Sequence, residues 1–216
     1  MRRDLTSSAL ALLVLTLVLG VAYPLATTGV SQVLWPNKAD GSQIERDGKT
    51  VGSRLIGQDF QRPVLDRNGE PKVDADDNPV LTADKSYFQS RPSVTGYSAN
   101  VTYFNNLGPN NAELRDLFAA NLAAYLERER PYDPGLMRGD VPADAVQTSA
   151  SGVDPHISPD NARIQARRVA EVRGITLERV LDLVDESTDG RGLGIFGEPG
   201  VNVLDLNLAL DEEAPR

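Results

Sequence analysis

The stretch from Leu5 to Trp35 carries no charge; after Asp4 the next charged residue is Lys38. Within it, residues 9–26 are almost wholly apolar. An α-helix rises about 1.5 Å per residue, so about 20 such residues cross the roughly 30 Å hydrocarbon core of a bilayer. In lipid only a helix or a closed barrel pairs all of its own backbone polar groups, and one segment closes no barrel. The expectation is therefore one transmembrane helix over residues 9–28. Arg2 and Arg3 resist translocation, which keeps residues 1–8 in the cytoplasm and sends residues 29–216 outside. Tyr23 and Trp35 suit the outer interface, and Pro24 fits near a helix end. Thr16 and Gly20 share a small-residue face, so Thr16, Gly20, Tyr23 and Pro24 are the candidate membrane-packing residues. The rival reading is a cleaved signal peptide, with Arg2-Arg3 as its basic region and Gly20-Val21-Ala22 as its cleavage site. The apolar run continues past that site to Leu25, which favours a retained anchor. Both readings place the remaining chain outside the cytoplasm.

The chain has 216 residues and a net charge of −9. Residues 1–30 contribute +1, so the rest carries −10, with 20 Lys and Arg against 30 Asp and Glu. Such a surface repels phosphate backbones and anionic lipid heads, which argues against nucleic acid as a partner and against peripheral membrane adhesion. There is no cysteine. Thiol catalysis and thiolate metal sites are excluded, and an exported domain must hold itself by burial alone.

The outward part reads as one mixed α/β domain. Asp47-Gly48 predicts a hairpin turn within Ile44–Val51. Residues 63–85 crowd Asp66, Glu70, Asp74, Asp76, Asp77 and Asp84 around Pro63, Pro71 and Pro79, and read as an acidic insertion, an exposed hairpin or loose loop. Asp74, Asp76 and Asn78 mimic the start of a calcium loop, but Pro79 and Lys85 stand where its Gly and Glu belong. Tyr87–Ser93 reads as an aromatic strand end running into a turn. Asn111 predicts the cap of a helix over 111–130 that buries Leu114, Leu117, Phe118, Leu122, Tyr125 and Leu126 and ends at Pro131. Ser158-Pro159-Asp160 starts a second helix, with Ile164, Val169 and Ala170 inward and Arg163, Arg167, Arg168 and Arg173 outward, stopping at Gly174. Thr176 caps a third, burying Leu177, Val180, Leu181 and Val184. Val201–Leu210 (VNVLDLNLAL) reads as a closing strand whose alternation changes phase after Val203, through a bulge or burial on both faces. No internal repeat is read.

No pattern assembles a catalytic or metal centre. A literal Gly-x-Gly-x-x-Gly at Gly192, Gly194 and Gly197 follows a helix and precedes a strand, the reverse of a dinucleotide site, and reads as a turn. His156 is the only histidine and reads as a loop residue beside a helix cap. Asp182 and Asp185 read as a solvated helix face.

Several motifs in order then resemble one family. They are Tyr23-Pro24, Thr27-Thr28, Gly41-Ser42, Gly52-Ser53, Leu55-Ile56-Gly57-Gln58, Tyr87-Phe88, Arg91-Pro92-Ser93 and Asn106-Leu107-Gly108-Pro109. Ser149–Gly152, Asp154–Pro159, Gln165, Arg168-Val169-Ala170 and Val201–Asp211 complete the set. Their order and spacing resemble the C subunit of the bacterial Kdp-type potassium-transporting ATPase over about residues 10–211. The chain departs from that pattern in the acidic insertion at 64–85, and in Val101–Asn105 where a Ser-Gly-Gly-Ser-like turn is expected.

The resemblance implies a single-pass, non-catalytic accessory subunit in the bacterial cell membrane, partnered by a potassium-channel-like subunit and a P-type ATPase subunit. It implies a catalytic chaperone that raises the ATPase subunit's affinity for ATP, with no cofactor of its own. It also implies a nucleotide contact at Gln165, with Arg168 beside it. The topology read above puts Gln165 across the membrane from cytoplasmic ATP. Three alternatives stay open: a cap over the potassium entrance with no nucleotide role, a hydrogen-bonding function for Gln165 and Arg168 toward a neighbouring loop, and a secreted binding protein.

Overall fold

The computed structural model describes residues 2–98, 100, 101, 103 and 106–214. Most of the departure read at 101–105 lies outside them. The chain forms two compact units that divide between Ser53 and Arg54.

The first unit opens with a continuous helical stretch, Arg2–Leu34. It comprises α1 (Arg2–Leu17), a wider π turn (Val18–Ala22) and α2 (Tyr23–Leu34). Its most apolar window has a mean hydropathy of 2.4, and none of that window is buried within the chain. At 1.5 Å per residue the stretch is about 50 Å long, enough to cross a bilayer and project beyond it. The π turn has a local cause. Pro24 has no N–H to give to Gly20, and the ladder widens so that the Tyr23 N–H reaches Val18 O. Thr27 Oγ1 donates to Tyr23 O and Pro24 O, both at 3.0 Å. Thr16, Gly20, Tyr23 and Pro24 thus cluster around this widened turn. Thr16 Cγ2 lies 3.9 Å from where a Cβ on Gly20 would stand. A short helix α3 (Pro36–Ala39) leads to a hairpin of β1 (Gln43–Arg46) and β2 (Lys49–Ser53). Asp47 and Gly48 turn it with φ of 52° and 72°, as the sequence predicts.

In the second unit, β3 (Gln61–Pro63) pairs antiparallel with β4 (Leu81–Ala83). The segment between them is a repeat, which corrects the sequence reading. Leu65–Lys72 and Val73–Val80 are octapeptides that share Asp at their second position and Pro at their seventh. Asp66 Oδ1 accepts from the Asn68 and Glu70 amides, and Asp74 Oδ1 from those of Asp76 and Asn78. Those amides hold both carboxyls below the usual carboxylate range. Val64, Lys72 and Val80 close a ring of backbone hydrogen bonds, each 2.8 Å.

Most of the remaining regular structure is helical. α4 (Ala112–Glu129) is capped by Asn111, whose side chain accepts from the Glu113 N–H. α5 (Pro159–Arg173) is capped by Ser158 and stops at Gly174, which adopts φ 68°. α6 (Leu177–Glu186) is capped by Thr176. All three starts match the sequence reading. A three-stranded antiparallel sheet has the order β5 (His156–Ile157), β7 (Gly200–Asn202), β6 (Thr188–Asp189).

Two further readings are corrected. Val203–Glu213 is a helix, α7, and only Gly200–Asn202 is strand. The apparent phase change after Val203 is a helix start: Asn202 Oδ1 accepts from the Leu204 and Asp205 amides. Val203, Leu206, Asn207 and Leu210 then face inward at helical spacing. Tyr87–Ser93 is not a strand, although Phe88 is fully buried.

The main core gathers Phe88, Ile157, Val169, Val180, Leu183, Val184, Val201, Val203, Leu206 and Leu210 with alanines of α5. A smaller cluster holds Tyr125, Leu126, Leu136 and Ala145. In α4 only Tyr125 and Leu126 of the predicted stripe are buried; Leu114, Leu117, Phe118 and Leu122 are partly covered.

Candidate functional site

Ser86, Phe88 and Gln89 are buried with no strand beside them, yet buried peptide groups need partners. Side chains supply them. Arg168 Nη1 donates to Tyr87 O at 2.9 Å and also to Lys85 O, and Arg173 Nε donates to Ser86 O at 2.8 Å. The Phe88 N–H donates to Asn207 Oδ1 at 2.9 Å, and Asn207 Nδ2 returns a bond to Phe88 O at 3.0 Å. Gln165 treats the next residue identically: the Gln89 N–H donates to its Oε1 at 2.8 Å, and its Nε2 donates to Gln89 O at 3.0 Å. Two side-chain amides, one from α7 and one from α5, therefore pair successive peptides in place of neighbouring strands.

Helical geometry explains how α5 does this. Asn161, Gln165 and Arg168 lie at i, i+4 and i+7 and form one polar stripe, while Ala162, Ala166 and Val169 enter the apolar core. Across the stripe stand Tyr125 and Glu129 of α4, also one turn apart. Tyr125 Oη donates to Asn161 Oδ1 at 2.9 Å, and Gln165 Nε2 donates to the same oxygen at 3.0 Å. Asn161 Nδ2 in turn donates to Asp144 Oδ2 at 2.9 Å. Arg168 Nε reaches both Glu129 oxygens at 3.1 and 3.0 Å, and Arg168 Nη2 donates to Gln165 Oε1 at 2.9 Å.

Gln165 is 1% exposed, Glu129 1% and Arg168 0%. Burial lowers the Arg168 guanidinium from its usual range and Glu129 opposes that shift. Burial also raises the Tyr125 hydroxyl. The outward placement of Arg168 and Arg173 is thus corrected: Arg173 is 2% exposed at its side chain and pairs with Asp211 at 2.8 Å. Arg163 and Arg167 do face solvent. Gln165 and Arg168 are brought together, and they hydrogen-bond a neighbouring segment.

Sequence reasoning missed Glu129, Asn161, Arg173 and Asn207 as members of this cluster. One signal was available. Asn207 interrupts the apolar run of Val203–Leu210, and a polar residue inside such a run implies a buried hydrogen-bond partner.

His156 lies elsewhere, in β5, a strand position where a loop is predicted. Its Nδ1 is 3.6 Å from Asp154 and its Nε2 3.5 Å from Asp189 of β6. The imidazole crosses β7 at Gly200, where a Cβ would stand 3.3 Å from the His156 Cβ. Arg91 Nη1 backs Asp154 at 3.0 Å. The Asp154 carboxylate, as acceptor for the imidazole N–H, is the main cause holding His156 above its usual pKa. Asp182 and Asp185 are exposed, as read. Gly192, Gly194 and Gly197 sit in the turn between β6 and β7.

Similarity to known proteins matches this architecture to a family. A family model described as K+-transporting ATPase, c chain (KdpC) matches residues 5–212. The chain belongs to the KdpC family. The potassium-transporting ATPase KdpC subunit of Rhodospirillum rubrum is 48% identical over 217 residues, covering 100% of this chain and 98% of the relative. That of Myxococcus xanthus is 46% identical over 94% of this chain and 86% of its own length. That of Mycobacterium bovis is 44% identical over 98% and 99%. The KdpC match begins inside the apolar helix, so the helix belongs to the shared part of the chain.

Proposed function

We propose that the chain is a non-catalytic accessory subunit of an ATP-driven potassium-transport complex. The apolar helix anchors it beside the other subunits and the acidic α/β unit stands outside the membrane, over the potassium entrance. One observation carries this reading: a 33-residue apolar helix with no buried residue in its membrane window, joined to a chain of the KdpC family. Such a surface needs lipid or other helices to cover it. Net acidity outside favours cations over anions near the entrance, with a reach of about 8 Å set by salt screening.

Gln165 serves the fold in this account. Its amide already makes two bonds to the Gln89 peptide, one to Asn161 and one to Arg168. A nucleotide contact requires those bonds to break first.

The test is co-purification from a membrane co-expressing tagged channel-like and ATPase subunits. The intact chain is expected to be recovered with both, with protease cleaving its acidic unit only from outside. A mature chain lacking the helix and free of both subunits would overturn the reading.

A further inference from the structure

Residues 106–214 hold ten arginines and no lysine. Eight of those arginines pair with a carboxylate of the chain. Arg130 and Arg138 have no acidic partner among the described residues, and both line one groove of about 700 Å³. Its wall is Ala119, Leu122, Ala123 and Leu126, at i, i+3, i+4 and i+7 on one face of α4. From Ala119 to Arg130 the groove runs about 16 Å along the helix. It is apolar over most of that length and basic at the end where Arg130, Pro131 and Arg138 stand. Leu126 is buried beneath it, whereas Ala119, Ala123, Arg130 and Arg138 are exposed. Glu127 also lines the groove and pairs with neither arginine. Arg130 Nε donates to Leu136 O at 3.1 Å, which holds the guanidinium while its two terminal nitrogens make no bond among the described residues. Asp140, two residues beyond Arg138, instead accepts from the Met137 N–H at 2.8 Å.

Two unpaired guanidinium forks at one end of an apolar track call for an occupant with a carboxylate at the matching end. The track itself suits a helix. Ala119 and Ala123, one turn apart, let a second backbone approach closely, and i±4 rows take the ridge of another helix. A length of 16 Å corresponds to about three helical turns. A bilayer surface fits less well, because the −10 carried by residues 31–216 opposes anionic headgroups. We infer that this groove seats an amphipathic helical segment of another subunit of the same transport complex. That segment is apolar over about three turns and carries a carboxylate at the end that meets Arg130 and Arg138. The inference rests on the subunit reading above and adds a contact surface to it.

The test places the photocrosslinker p-benzoylphenylalanine at Ala123, an exposed position in the groove, and irradiates the assembled complex in membranes. The expected product joins this chain to an apolar segment of another subunit with Asp or Glu at one end. Arg138→Glu is expected to lower recovery of the complex about tenfold or more, and Arg67→Glu, at an exposed position outside the groove, to leave it unchanged. The purified Arg138→Glu chain should melt with wild type, since its side chain makes no ion pair among the described residues. Replacing the crosslinked subunit's acid by arginine should restore recovery with Arg138→Glu. A crosslink to lipid, or to a second copy of this chain, would overturn the inference and leave the subunit reading standing. So would unchanged recovery with Arg138→Glu. Failure of the wild-type chain to assemble would overturn both.

Discussion

Gln165 shows why a residue's type does not reveal its use. A glutamine flanked by arginines on a helix suits a ligand contact or a solvated face, and only its partners separate the two. Here they are the Gln89 peptide, 76 residues away, together with Asn161 and Arg168. Replacing it by leucine leaves a buried N–H and C=O unpaired, at about 1–3 kcal/mol for each group. Gln165→Leu is therefore expected to lower the thermal midpoint of the purified chain with no nucleotide present; an unchanged midpoint contradicts the clamp. Arg168 carries larger stakes, since its removal strands the buried Glu129 carboxylate. Arg168→Met should destabilise by about 3–5 kcal/mol, read from denaturant midpoints, and Arg167→Met, at an exposed position, should change little. Charge alone places Arg168 outside; the buried acid that draws it in lies on another helix, 39 residues away.

Helix starts were legible because their chemistry is local. Asn111, Ser158 and Thr176 each accept a hydrogen bond from an amide two or three residues on, although Ser158 is also held by Asp144, 14 residues before it. The last element was misread because Val201, Val203 and the leucines after them satisfy a period of two and one of 3.6 nearly equally. Asn202 decides between them. Asn202→Ala should cost about 0.5–2 kcal/mol through the lost cap, and its bond to Arg54 O goes with it. The octapeptides at 65–80 were legible in principle, from Asp66 and Pro71 against Asp74 and Pro79, but their acidity made them resemble loose loop. The 85–89 segment was not legible, because side chains from two remote helices define its path.

The three-stranded sheet adds a pH dependence. His156 spans from Asp154 to Asp189, with Arg91 behind Asp154, and its folded pKa is raised. A raised folded pKa means that the protonated imidazole stabilises the fold. That stabilisation is complete below the ordinary value near 6.5 and disappears as pH rises through the higher folded value. The thermal midpoint should therefore fall over that window in wild type, and the fall should be smaller in His156→Gln. Identical profiles for the two would remove the imidazole from the account.

At the scale of the whole molecule, the apolar helix was the plainest feature of the sequence because length and hydropathy require no tertiary information. On the subunit reading proposed above, its packing face is set by other chains. Gly20→Leu puts a bulky side chain beside Thr16 at the widened turn, and should weaken recovery of the complex in detergent; unchanged recovery would remove that face from the interface. The central claim is that the α/β unit stands outside the membrane. The direct measurement is labelling of Ala75→Cys in intact cells by a membrane-impermeant maleimide, with the complex co-expressed. The account predicts full labelling before permeabilisation; labelling only after the membrane is opened would contradict it.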